Sequence, residues 1–136
     1  MATDFENVLT ALAALEASIT GVSVAHDKMP ESLNDFPCFI NLPSRGETIF
    51  GPADQMESHD TIIAELHVAR GILPEAETMA RPFKNRFEDM LCNNITLSAT
   101  VSVVKAVRCS YGILQFGDET HLGWRFEIDI KMRRSV

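Results

Sequence analysis

Residues 121–134, HLGWRFEIDIKMRR, carry the cleanest alternation in the chain. The even positions Leu122, Trp124, Phe126, Ile128, Ile130 and Met132 are apolar, while the odd positions Arg125, Glu127, Asp129, Lys131 and Arg133 are charged. Successive side chains of a strand leave on opposite faces, so this period of two demands a strand with one dry face and one wet face. Its apolar side must be covered by other elements. Its charged side allows two readings, an acid–base constellation or a solvated surface.

Two helical stripes can supply the cover. Phe5, Val8, Leu9, Leu12, Leu15 and Ile19 recur at helical spacing behind a Thr3–Glu6 capping box and ahead of Gly21 as a stop, which predicts a helix of about four to five turns. A second helix opens at Pro74 with Glu75 and Glu77 near its positive end, and carries Met79, Phe83, Phe87, Met90 and Leu91 as its apolar stripe. Arg81-Pro82 predicts a kink or restart, because proline removes a hydrogen bond and crowds the preceding turn. Asn93-Asn94 is a plausible end.

The remaining segments read as strands and loops. A short extended piece is expected at Val22–Ala25, a short buried strand at Cys38–Leu42, and a strand in HDTIIAELHVAR, residues 59–70. Residues 101–116 predict a long strand with Gly112 as a candidate bulge, followed by a turn at Gly117-Asp118. Residues 43–58 hold two glycines and two prolines and read as a long loop, and its Ile49, Phe50 and Met56 call for something to dock against. The order predicts one α+β domain over residues 1–136, a two-layer sandwich with a mostly antiparallel four-stranded sheet and two helices on one face.

Composition narrows the function classes. With 12 Lys+Arg against 19 Asp+Glu the chain is acidic, which disfavours stable binding to a nucleic-acid backbone. Cys38, Cys92 and Cys109 are an odd number without a CxxC spacing and sit among apolar residues, so they read as buried thiols. The first twenty residues lack a basic leading segment and are interrupted by acids, and no apolar run approaches a membrane span.

The sharpest catalytic candidate is Asp129-Ile130-Lys131 with Asp118 as a second carboxylate, the set a metal-dependent nuclease would need to hold a divalent ion and activate water. Against it, D-x-K is common, and opposite charges two apart on a wet strand face also discourage edge-to-edge aggregation. His59, Asp60, Glu65 and His67 form a second constellation, in which Glu65 and His67 share a strand face and His121 can approach from the hairpin, but zinc sites show tighter ligand pairing and scattered surface histidines are the simpler reading. As nucleophiles Cys38 and Cys109 would need a nearby base and partial exposure, and both sit in apolar β segments, where core packing is the simpler reading. The balance predicts no catalytic, metal or cofactor site.

The element order and the residues DFPCFINLP, LPEAETMARPFKNRFEDML and YGILQFGDETHLGWRFEIDIKM resemble the tail terminator, or tail completion, proteins of long-tailed bacteriophages. The closing pattern is carried by Tyr111, Gly112, Leu122, Gly123, Trp124 and Phe126. The resemblance implies a non-enzymatic virion subunit that forms a ring, expected to be a hexamer, on the head-proximal end of the tail tube. Its partners would be further copies of itself, the tail-tube protein and a neck or head-completion protein, with DNA passing through the lumen unbound. Neck stopper, tail-tube subunit and minor structural protein are related readings. Contacts are expected at Ile49, Phe50 and Met56, and at Arg125, Arg133 and Arg134 through inter-subunit ion pairs.

Overall fold

The structure is a computed structural model that describes residues 4–71 and 74–135. Its elements are α1 (Phe5–Ala17), β1 (Val24–His26), β2 (Cys38–Phe50), β3 (Gln55–Ala69), α2 (Pro74–Ala80), α3 (Phe83–Asn93), β4 (Val103–Phe116) and β5 (Glu119–Ser135). The strands form a five-stranded sheet in the order β1-β2-β3-β5-β4. All neighbours pair antiparallel except β1, which runs parallel to β2 over Cys38–Ile40. The α+β class holds, but the sheet is mixed and has one strand more than expected.

The alternating segment lies inside the sheet as β5, paired on both sides. Phe126, Ile128 and Ile130 are fully buried beside Ile62, Ala64 and Leu66 of β3, under Val8 and Leu12 of α1 and Phe83 and Phe87 of α3. Phe87 stacks on Phe126 with ring centroids 4.1 Å apart and on Phe39 at 5.4 Å. Each buried aromatic ring withdraws a large apolar surface from water, and stacking adds to that.

The expected restart at Arg81-Pro82 is present, since α2 ends at Ala80 and α3 begins at Phe83. Breaking the helix frees the Ala80 carbonyl, and the Trp124 indole N–H donates to it at 2.8 Å. The strand thus satisfies one of the carbonyls left without a partner where α2 ends.

Several expectations need correction. Asp4 is the N-cap of α1, accepting from the Asn7 amide at 2.9 Å, and Thr3 of the expected capping box lies outside the described residues. The helix stops at Ala17, short of Gly21. The expected loop over 43–58 is instead the far half of a β2–β3 hairpin, because alternating residues there continue the ladder down to Phe50 opposite Met56. Gly112 is no bulge, since it pairs in register with Gly123, and the irregularity falls between Val104 and Ala106. Cys38 is buried and Cys109 partly so, but Cys92 is exposed on α3. Burial, then the charge of Asp35, raises the Cys38 thiol to about 11, which keeps it protonated.

The second face of the sheet is not wholly open. Leu33 packs there with Cys38 and Ile40, flanked by Val24, Phe36, Leu42 and Phe116, so the 27–37 segment covers one end. The other end stays wet.

Gly123 has a steric reason. A Cβ there would collide with the Leu66 carbonyl oxygen on the neighbouring strand. Gly123→Ala must therefore displace backbone at the centre of the sheet, and a loss of about 3 kcal/mol of stability in urea denaturation is expected; a change near zero would refute the close approach.

Glu16 of α1 is fully buried and accepts from Asn41 Nδ2 at 2.5 Å, while the same amide donates to the His26 carbonyl at 2.9 Å. Burial pushes its carboxyl well above the ordinary 4.5, against the opposing pull of Asn41. The folded chain then holds a proton that the unfolded chain releases above pH 4.5, so stability falls as pH rises from there toward the raised folded value. Glu16→Gln keeps an acceptor for Asn41 and removes this dependence. It should raise the urea midpoint at neutral pH and flatten its pH profile, and a lowered midpoint would contradict a protonated Glu16.

Candidate functional site

The far half of the β2–β3 hairpin, flanked by β5 as far as Ser135, forms an arm whose β2 residues 43–50 are all exposed. At its end Ile49 pairs with Glu57 and Phe50 with Met56, and the chain reverses through residues 51–54. Ala53 and Asp54 adopt φ of 56° and 61°, and the Gly51 amide donates to the Gln55 carbonyl at 2.9 Å, which closes the turn. Neighbouring residues of a strand face opposite ways, so Ile49 and Phe50 sit on the two sides of the arm. They are 50% and 76% exposed, while Met56 is half-buried. Ile49, Gly51, Gln55, Met56, Glu57 and Arg133 line a shallow cleft of about 250 Å³.

Below the arm, the odd side of β5 meets odd residues of β3 and the charges of β4. Arg108 binds Asp129 through both terminal nitrogens, at 2.7 and 3.1 Å, and reaches Glu127 at 3.3 Å. Thr61 donates to Asp129 at 2.8 Å and Arg125 donates to Glu127 at 2.9 Å. The Arg108 guanidinium, with help from Thr61, holds Asp129 below the usual carboxylate range, and Asp129 and Glu127 together hold Arg108 firmly charged.

Glu57 is the other hub, with His59 Nε2 at 3.0 Å, Lys131 Nζ at 3.2 Å and Arg133 Nε at 3.3 Å. Lys105 Nζ donates to His59 Nδ1 at 2.8 Å, which leaves Nε2 as the nitrogen that donates to Glu57. The hydrogen bond from His59, then those from Lys131 and Arg133, lower the Glu57 carboxyl to about 2.

Arg125 and Arg133, expected at a subunit contact, are therefore engaged in ion pairs within the chain. Arg134 lies beside Met56 in the ladder, and its Nε has no hydrogen-bond partner among the described residues. Asp118, Asp129 and Lys131 do not converge: Asp118 sits in the β4–β5 turn, eleven residues and roughly 35 Å along the strand from Asp129, and Lys131 pairs with Glu57. The geometry thus removes the two-carboxylate nuclease arrangement.

The histidines also differ from expectation. His67 and His121 are buried rather than scattered on the surface, and their Nδ1 atoms lie 2.8 Å apart. Asp60 is bonded to Ser58 on another part of the sheet. Among the described residues no group of three or more His, Cys, Asp or Glu side chains converges as a metal site, and no helix is long and apolar enough to cross a membrane. The shared motif E-x-H at Glu57–His59, Glu65–His67 and Glu119–His121 was the signal to follow, because on a strand it places carboxylate and imidazole on one face. No protein-family model matches the chain, and no curated protein matches it in sequence.

The depressed Glu57 carboxyl makes a pH prediction. Its contribution is complete above the ordinary 4.5 and is lost as pH falls from there toward about 2. Glu57→Gln should flatten that acid limb in denaturant midpoints, and added salt should shrink the difference because these charges face water. An unchanged acid limb would show that the hub contributes nothing.

Proposed function

We propose that the protein is a structural subunit of a phage tail, a terminator that assembles as a ring on the head-proximal end of the tail tube. The observation that carries this reading is the arm: a well-built hairpin that presents Ile49 and Phe50 to solvent at 50% and 76% exposure, away from the core. Large apolar side chains held out on ordered strands favour a protein contact.

A ring of identical copies needs two unlike surfaces on each chain, one to meet the other on its neighbour. The sheet offers such a pair. The outer side of β4 has no strand beyond it among the described residues, and β2 has none beyond Ile40 because β1 is only three residues long. Within the sheet β2 and β4 run antiparallel, so β4 of one copy and β2 of the next would meet in the same antiparallel sense that the sheet already uses. The arm, extending β2, then reaches the axial neighbour, the tube or the neck protein. The acidic balance, net −7, suits a channel that lets DNA pass without holding its phosphates.

Tails assembled without this protein should be overlong, which electron microscopy measures directly. Tails of normal length that fail to join heads would move the protein to a neck-joining role, and normal virions would end the tail reading. Phe50→Asp should keep the monomer's thermal stability within about 0.5 kcal/mol, as expected for an exposed site, while abolishing capping of purified tails. Capping that survives the change would remove the arm from the contact.

A further inference from the structure

His67 and His121 take no part in the contacts proposed above, and their geometry stands independently of that reading. Both imidazoles are buried, His67 at the end of β3 and His121 at the start of β5, with Nδ1 facing Nδ1 at 2.8 Å. His67 Nε2 lies 3.1 Å from Glu65 Oε1, and His121 Nε2 lies 3.2 Å from Glu119 Oε2. Phe36 stands edge-on to His121 at 5.1 Å, and Phe116 stacks along it at 6.3 Å.

Three contacts in a row each require one proton. Two nitrogens at hydrogen-bond distance attract only if one is protonated and the other is not, and an imidazole nitrogen approaches a carboxylate only through a proton. Two neutral imidazoles bring two protons, one fewer than the chain of contacts needs. A fourth proton would place N–H against N–H at the centre, between two rings that are both buried.

We infer that Glu65, His67, His121 and Glu119 form one proton-sharing chain that is intact with three protons, and that a fourth, taken up in acid, breaks its centre and releases the 27–37 segment above it. The segment is tied to the pair. Phe36 rests on His121, Arg70 lies over the Phe36 ring at 5.4 Å, and Arg70 Nη2 donates to the Leu33 carbonyl at 2.8 Å. Arg70 also reaches Glu119 at 3.8 Å, so the roof and one end of the chain share a cation.

The surrounding groups disfavour the fourth proton. Glu65 and Glu119 come from the same strands as the imidazoles, Arg70 follows β3, and Cys38 of β2 sits opposite His67 as a neutral thiol with Asp35 near it. From β4 come Leu114 and Phe116, which do not titrate. Burial, then the neighbouring His67, pushes the His121 imidazole below its ordinary 6.5, while Glu119 pulls the other way. A depressed base leaves the unfolded or opened chain binding more protons below 6.5, so the closed form loses stability as pH falls through that range.

The test uses the full chain labelled with the heavy nitrogen isotope. Near neutral pH, a scalar coupling across the Nδ1–H···Nδ1 bond is expected between the two imidazoles. Hydrogen exchange of amides in 27–37, corrected for the intrinsic rate, should speed up by as much as about tenfold per pH unit below 6.5, and His121→Leu should abolish that dependence. If that variant does not fold, the coupling and the wild-type exchange profile still decide. Two independent titrations at the ordinary value without coupling, or exchange in 27–37 indifferent to pH, would overturn the inference.

Discussion

The packing of the even side of β5 against α1 and α3 is the constraint on which the rest depends. Phe126 touches Phe39, Phe87 and Trp124 through ring contacts, so one residue joins β2, β5 and α3. With that face fixed in the core, the odd side has no freedom of its own: it must lie on the opposite surface, and the pairings of β3 and β4 set which charges meet. The Arg108–Asp129 and Lys131–Glu57 pairs follow from register rather than from any requirement of chemistry. Exposed pairs of this kind contribute little to stability singly, but they leave the charged surface self-compensated.

That compensation separates two parts of the molecule. The charged face is satisfied within the chain, whereas the arm and the two open edges are not. A subunit with a settled face and unsettled edges is physically suited to heterologous association, and this distinction directs the contact reading toward Ile49 and Phe50 rather than toward Arg125 and Arg133. The carboxylates divide in a similar way. Glu16 favours its neutral form inside the helix-covered core, while Glu57, partly exposed on the charged face, is held ionised by its cationic neighbours. The two respond to pH in opposite directions, so the stability profile is a balance of unlike sites.

Much of the fold was legible along the chain because periodicity reports directly which side of an element is dry. The even positions of β5, the stripe of Phe83, Phe87, Met90 and Leu91, the break at Arg81-Pro82 and the reversal at Gly117-Asp118 all agree with the structure. The arm was missed because glycines and prolines in 43–58 suggested a loop, while pairing with β3 and β5 holds the same residues extended. Propensity is a local quantity, and a ladder supplied by distant strands overrides it. For the histidines, the approach of His121 to the Glu65–His67 face was legible from the hairpin, but their burial was not, because the cover comes from the distant 27–37 segment.

The sequence by itself determined the α+β class, the dry face of β5 and the two helical stripes that cover it, since each is written in a local period of apolar residues. Only the tertiary structure decided that Arg125 and Arg133 are already paired, that 43–58 is an arm, and that His67 and His121 share a buried contact. Those facts depend on strand register, and register comes from long-range pairing that no local pattern specifies.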